Sequence, residues 1–164
     1  MKKLISFSHG YGQVSYHIVL VPKYRHKAFM RNDIKFFMRN YITALTRKYR
    51  WNLHALEIMD DHIHIFMDIP PTIPLSQVIG VLKSRTAHEI FKIFPIFRDM
   101  FREGHFWSRG KFFRSVGTVT SETIERYILE SQGKHHHTKD SYQSAKKENS
   151  LIKQGQTTIF DFAS

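Results

Sequence analysis

The stretch "WNLHALEIMDDHIHIFMDI" (51–69) decides the fold. Trp51 to Met59 and His62 to Ile69 are apolar and rich in branched side chains, and each reads as a strand. Asp60 and Asp61 stand between them, and short acids of this kind form tight turns by bonding their own backbone. A two-residue connection joins antiparallel neighbours, so the stretch is a hairpin, closed by Pro70 and Pro71. Strand side chains alternate, so His62 and His64 share one face while Ile63 and Ile65 point to the other. Ile63 then anchors a core, and the two imidazoles stand on the opposite, open face.

Working outward, Val14 to Val21 is a strand stopped by Pro22, followed by the basic loop "KYRHK" (23–27). A helix starts at Asn32 or Asp33, either of which can cap it. Its apolar face is Ile34, Phe37, Met38, Tyr41, Ile42, Leu45 and Tyr49. Leu75, Val78, Ile79 and Leu82 open a second helix that runs to about Phe94, and Phe112 to Thr118 is a fourth strand. Thr120 or Ser121 caps a third helix, with Glu122 in its first turn and Ile124, Tyr127 and Ile128 along it. The order βαββαβ plus a helix predicts an α+β fold: a ferredoxin-like antiparallel sheet with an extra C-terminal helix carrying the tyrosine. Residues 1–133 form this domain, 134–153 a flexible polar linker, and 154–164 a short peptide in which apolar residues return.

The 164 residues carry a net charge of +11, which calls for a polyanionic partner, either nucleic acid or an acidic membrane surface. No apolar run of about 18 residues is present to span a bilayer. The start "MKKLISFSHG" lacks the apolar segment of a secretory signal. With no cysteine, disulfides and cysteine–zinc sites are excluded and a reducing intracellular compartment fits. The expected location is therefore cytoplasmic. Any metal must be held by histidine, aspartate, glutamate, glutamine or water.

Neighbouring imidazoles such as His62 and His64 can bind one divalent ion and leave positions open for substrate oxygens. The alternative is a solvated strand face with incidental histidines. A turn accounts for Asp61, which is also placed to orient a liganding histidine. Tyr127 reads either as an amphipathic tyrosine packed beside Ile124 and Ile128 or as a phenolic nucleophile that a cation-polarised phosphate would accept. Gln132 offers a neutral oxygen, for solvent or for a metal. Cations interleave with aromatics at 23–27, 47–51 and 107–114, a pattern that holds phosphates and stacks bases. Lys23, Arg25, Lys111 and Arg114 are the expected DNA-backbone contacts, with Trp51, Phe112 and Phe113 shared between core and stacking. His135, His136 and His137 read as part of a solvated tail.

Four blocks, "SYHIVLVPKYRHKAF", "DDHIHIFM", "WSRGKFFRSVGTVT" and "IERYILESQ", resemble in order and spacing the single-tyrosine transposases of the HUH superfamily, which move small insertion sequences as single-stranded DNA. The resemblance spans about residues 14–133. It implies a catalytic domain with His62 and His64 as ligands of a divalent metal, Mg2+ or Mn2+, and Tyr127 as nucleophile. It also implies a homodimer with sheets joined edge to edge, in which the tyrosine helix can serve the partner's histidines. The family's ligand glutamine stands four residues after the tyrosine. Here that position is Ser131, with Gln132 next, and one residue rotates a helical side chain by about 100°. Gln132 serves as third ligand only where the helix end loosens near Gly133; Glu130 is the other candidate. In "QGQTTIFDF", Gln156, Ile159 and Phe162 resemble the peptide that binds a PCNA-like sliding clamp, the alternative being a segment folded onto its own domain. Two rival functions remain: a non-catalytic single-strand nucleic-acid-binding module, suggested by "RGKFF", and a related HUH nicking enzyme.

Overall fold

The computed structural model describes residues 14–117 and, ahead of them, the backbone of residues 5–7 and 10–12. The first strands, β1 (Ile5–Phe7) and β2 (Gly10–Gly12), pair antiparallel as a short hairpin. Strands of three residues are too short to show alternation, so the sequence pattern does not announce them. Four longer strands, β3 (Val14–Leu20), β4 (Asn52–Ile58), β5 (Ile63–Ile69) and β6 (Phe112–Val116), form a second sheet in the spatial order β4-β5-β3-β6. Every neighbouring pair is antiparallel. Helices α1 (Asn32–Lys48) and α2 (Leu75–Ile93) make the two crossovers, which is the expected ferredoxin-like α+β arrangement. The expected tyrosine helix and everything after it lie outside the described residues.

Both helices cover one face of the sheet. Ile34, Met38, Ile42 and Leu45 of α1 and Val78, Ile79, Leu82 and Ile90 of α2 are buried. They form one apolar cluster with Ile18, Leu20, Leu56, Ile58, Ile63, Ile65, Met67 and Ile69 of the sheet. Strand β4 enters this cluster only through a bulge. Asn52 pairs with Asp68 and Leu53 with Met67, but the next pair is Ala55 with Phe66, leaving His54 as an extra residue. The slip is required by the sequence. Leu53 and Leu56 are three apart, and strict alternation would place them on opposite faces.

Helix starts and stops differ from the sequence expectation in instructive ways. The cap of α1 is Arg31, in extended backbone, rather than Asn32 or Asp33. Asp33 instead accepts the Ile34 N–H and pairs with Arg31, so its charge still neutralises the first turn. At the other end, the Trp51 N–H donates to the Thr46 carbonyl and the Arg50 N–H to that of Arg47. This is a Schellman stop, and Arg50 takes the left-handed position (φ 56°) where glycine is favoured. Beyond α2, a short helix α3 (Ile96–Met100) and the segment to 111 wrap an aromatic cluster of Phe29, Phe97, Phe101, Phe106 and Trp107. The Trp107 indole donates to the buried Thr86 hydroxyl, which itself donates to the Leu82 carbonyl. No helix among the described residues is long and apolar enough to cross a membrane.

Arg50→Gly removes the left-handed strain and should raise unfolding free energy by about 0.5–1 kcal/mol in urea titrations. An unchanged or lower value would show that the arginine side chain stabilises this turn.

Candidate active site

The strand pairings place a polar set on the face the helices leave open. Ser15, His17 and Val19 of β3 lie opposite Asp68, Phe66 and His64 of β5, and His17 also lies opposite Arg114 of β6. The set divides into two clusters along the strands.

At one end is the histidine pair. Asp60 and Asp61 form the expected turn, closed by the Met59 N–H donating to the His62 carbonyl. His62 sits at the end of that turn, one residue before β5, and His64 is the second residue of the strand. Their ring centroids are 4.7 Å apart and their planes meet at 78°. Each ring is held at Nδ1. His62 Nδ1 is 2.5 Å from Asp61 Oδ1, and His64 Nδ1 is 2.8 Å from His17 Nε2. Asp61 therefore does both things its sequence allowed: it makes the turn and orients a histidine. Its other oxygen accepts from the Arg25 guanidinium at 2.9 and 3.2 Å. Burial pushes the Asp61 carboxyl up, but His62 and Arg25 outweigh it and hold it below the usual aspartate range. Burial, with the neighbouring His62 and His17, pushes the His64 imidazole down to about 3, so it is a neutral ring with a lone pair.

The donor set suits a divalent cation. With both Nδ1 atoms engaged, Nε2 is the remaining nitrogen on each ring. His64 Nε2 is buried and has no hydrogen-bond partner among the described residues. A buried nitrogen without a partner is costly, and a cation would satisfy it. No set of three or more histidine, cysteine, aspartate or glutamate side chains among the described residues is arranged to hold a metal. Gln132 and Glu130, the candidates for a third ligand, lie outside the described residues, as does Tyr127.

At the other end of the face, Asp68 is fully buried. Ser15 donates to its Oδ1 at 2.5 Å and Asn52 to its Oδ2 at 3.1 Å, while His54 Nε2 lies 2.7 Å from Oδ2. The bulge that corrects the β4 register is what brings His54 to this carboxylate. Burial pushes Asp68 up, and these partners outweigh it and keep the group below its ordinary range.

The expected DNA contacts fall into two kinds. Lys23 is paired with Glu103 and Arg25 with Asp61, so neither charge is idle. Lys111 and Arg114 are exposed, with no carboxylate partner among the described residues. Lys83 donates to the Ser108 and Gly110 carbonyls and so fixes the loop that leads to Lys111. Trp51 is 5% exposed and stacks on Tyr49, which makes it a core residue and removes it as a stacking platform. Phe112 and Phe113 are 54% exposed, and Tyr24 is 74% exposed at a left-handed position in the basic loop. The histidine run 135–137 and the Gln156, Ile159 and Phe162 peptide lie outside the described residues.

Sequence reasoning missed His17 and His54. His17 stands in "SYHIVLV" with the right parity, but only the pairing of β3 with β5 brings it behind His64. The broken spacing of Leu53 and Leu56 is the signal that would have found the bulge and His54.

A ferredoxin-like sheet with a held histidine pair on its open face defines an α+β domain with a candidate catalytic surface. The chain belongs to the IS200-like transposases, whose family profile matches residues 11–131. It is 33% identical over 127 residues to the transposase of insertion sequence IS200 from Salmonella typhimurium, covering 75% of this chain and 80% of that protein. It is 23% identical over 120 residues to the ISDra2 transposase TnpA of Deinococcus radiodurans, covering 73% and 84%. A crystal structure from Deinococcus radiodurans R1 has the same fold, with a TM-score of 0.61 at 21% identity over 81% of this chain and 100% of that one.

The Asp68 cluster makes a pH-dependent contribution to stability. Its native pKa lies below the unfolded value near 4, so the stabilisation is present above that pH and is lost as pH falls through the native value. Asp68→Asn should cost about 2–4 kcal/mol at neutral pH, since a buried acceptor of the Ser15 hydroxyl and the Asn52 amide, with His54 Nε2 2.7 Å away, becomes in part a donor. The variant should also lose less stability than the wild type between pH 5 and pH 3. Equal acid losses in urea titrations would contradict this assignment.

Proposed function

We propose that this transposase cleaves and rejoins single-stranded DNA at element ends through a 5′-phosphotyrosine intermediate. Tyr127 is the nucleophile, and His62, His64 and Gln132 hold a divalent cation, Mg2+ or Mn2+. One observation carries the reading: two imidazoles at 4.7 Å, each fixed at Nδ1, with His64 Nε2 buried and unpartnered among the described residues. When bound, the cation supplies positive charge that polarises a phosphoryl oxygen and stabilises the charge that develops there. The relatives' names, as transposases of insertion sequences, support an element end as the substrate.

The chain's own residues then act as follows. His62 and His64 fix where the scissile phosphate sits. The phenolic oxygen of Tyr127 attacks phosphorus and gives up its proton. The bond from phosphorus to the 3′ oxygen breaks, and that oxygen takes up a proton and leaves as a 3′-hydroxyl. The 5′ phosphate stays on Tyr127. A second 3′-hydroxyl reverses the step on a new strand, so joining needs no ATP. A phenol has an ordinary pKa near ~10 and attacks poorly unaided, which is why the phosphate must be activated. Arg114 stands beside His17 on the open face, where it can meet the flanking backbone, and Phe112 shares that side of β6. Lys111 extends the same basic edge. Lys23 and Arg25 add phosphate contacts by exchanging their present carboxylate partners for DNA.

In this reading the protein works as a homodimer in which the tyrosine helix can serve the partner's histidines. The peptide at Gln156, Ile159 and Phe162 takes the enzyme to a PCNA-like sliding clamp.

A labelled single-stranded oligonucleotide carrying an element end, mixed with the full-length protein and Mn2+, should give a covalent adduct that survives denaturation. Tyr127→Phe should give none. His62→Ala should lower adduct formation by roughly two orders of magnitude while leaving oligonucleotide affinity nearly unchanged. Binding without any adduct in the wild type would reduce the protein to a nucleic-acid-binding module.

A further inference from the structure

The structure assigns His17 a role in the reaction as a positioning residue: it accepts the Nδ1 proton of His64 and so commits the His64 Nε2 lone pair to the site. The geometry is that of an in-plane N–H···N bond. The nitrogens are 2.8 Å apart, the ring centroids 5.0 Å apart, and the planes 14° from parallel. The difference between those two distances is close to two ring radii. The nitrogens therefore lie nearly on the line joining the rings, in an edge-to-edge contact and not a face-to-face stack.

Such a bond carries one proton, and its position has a consequence. With the proton on His17 Nε2, the His64 ring must carry its own proton on Nε2, a buried N–H with no acceptor among the described residues. With the proton on His64 Nδ1, Nε2 is a lone pair facing the site. An orphaned buried N–H is the costlier of the two, which favours the second arrangement without metal, and a cation there reinforces it. His17 must then accept at Nε2, which fixes its own tautomer as Nδ1–H.

The backbone makes this arrangement stiff. Val19, not His17, lies directly opposite His64, so His17 reaches it as a diagonal neighbour along a fully paired stretch of β3 and β5. The two histidines are also aimed by different chemistry. Asp61 holds His62 with a negative charge that Arg25 partly offsets, while His17 holds His64 with a ring nitrogen. An imidazole in that place fixes the tautomer without adding negative charge next to an anionic phosphate.

The consequence for the cation rests on the metal-binding reading, whereas the tautomer does not. The test uses the full-length protein with 15N-labelled histidine near neutral pH, together with Mn2+ titrations. In the metal-free wild type, long-range 1H–15N spectra should show His64 as the Nδ1–H tautomer. His17→Ala should turn His64 into a mixture of tautomers and weaken Mn2+ binding roughly 10–100-fold. His17→Gln, whose Oε1 can accept the same proton, should restore the single tautomer and most of the affinity. A wild-type His64 protonated on Nε2 would overturn the inference. So would a His17→Ala protein with unchanged tautomer and unchanged Mn2+ affinity. If His62→Ala leaves Mn2+ binding untouched, the metal-binding reading fails, and the His64 tautomer still decides the role of His17 by itself.

Discussion

The register of β3 against β5 is the constraint on which the rest of the molecule depends. It sets Val19 against His64, His17 against Phe66 and Ser15 against Asp68. A slip of one residue would turn every side chain of one strand to the other face. For β3, Ile18 and Leu20 would leave the core, and His17 and Ser15 would be driven under the helices. The apolar face therefore enforces the polar one. Burying these branched side chains stabilises the domain by about 1.5–3 kcal/mol each, far more than any single contact among the histidines. The site inherits its geometry from the core behind it.

That dependence explains why the open face tolerates an expensive arrangement. His64 and Asp68 are polar groups withdrawn from water four residues apart on one strand. Each is made tolerable by a hydrogen-bonded neighbour from β3: His17 behind His64 and Ser15 on Asp68. The two clusters differ in what is left over. Asp68 has donors on both oxygens, which suits a structural role. His64 keeps a buried nitrogen with no partner among the described residues, which suits a ligand. Arg25, Asp61 and His62 form a chain from the basic loop to the hairpin, so charge on the surface is linked to the orientation of a site histidine.

Much of this was legible in the residues. The hairpin at 51–69, the two crossover helices and the antiparallel order follow from short-range signals: alternation, the Asp60–Asp61 turn and the prolines at 22, 70 and 71. The face shared by His62 and His64 follows from parity alone. The missing parts are those that depend on partners distant in sequence. Parity tells that His17 faces one side of its strand; it does not tell which residue of β5 lies alongside. Asp68 reads as an ordinary strand-end acid until Ser15, Asn52 and His54 converge on it. Trp51 sits in a cationic run, "RKYRW", yet the Schellman stop turns it inward, and local composition gives way to tertiary packing.

The most direct test of the catalytic account is to locate the bond it requires. Protein incubated with a single-stranded element end and Mn2+ is digested, and the nucleotide-bearing peptide is sequenced by mass spectrometry. The account predicts one modified residue, Tyr127, joined through its phenolic oxygen to a 5′ phosphate, with the released fragment ending in a 3′-hydroxyl. Attachment through a 3′ phosphate, or to any residue other than Tyr127, would contradict it.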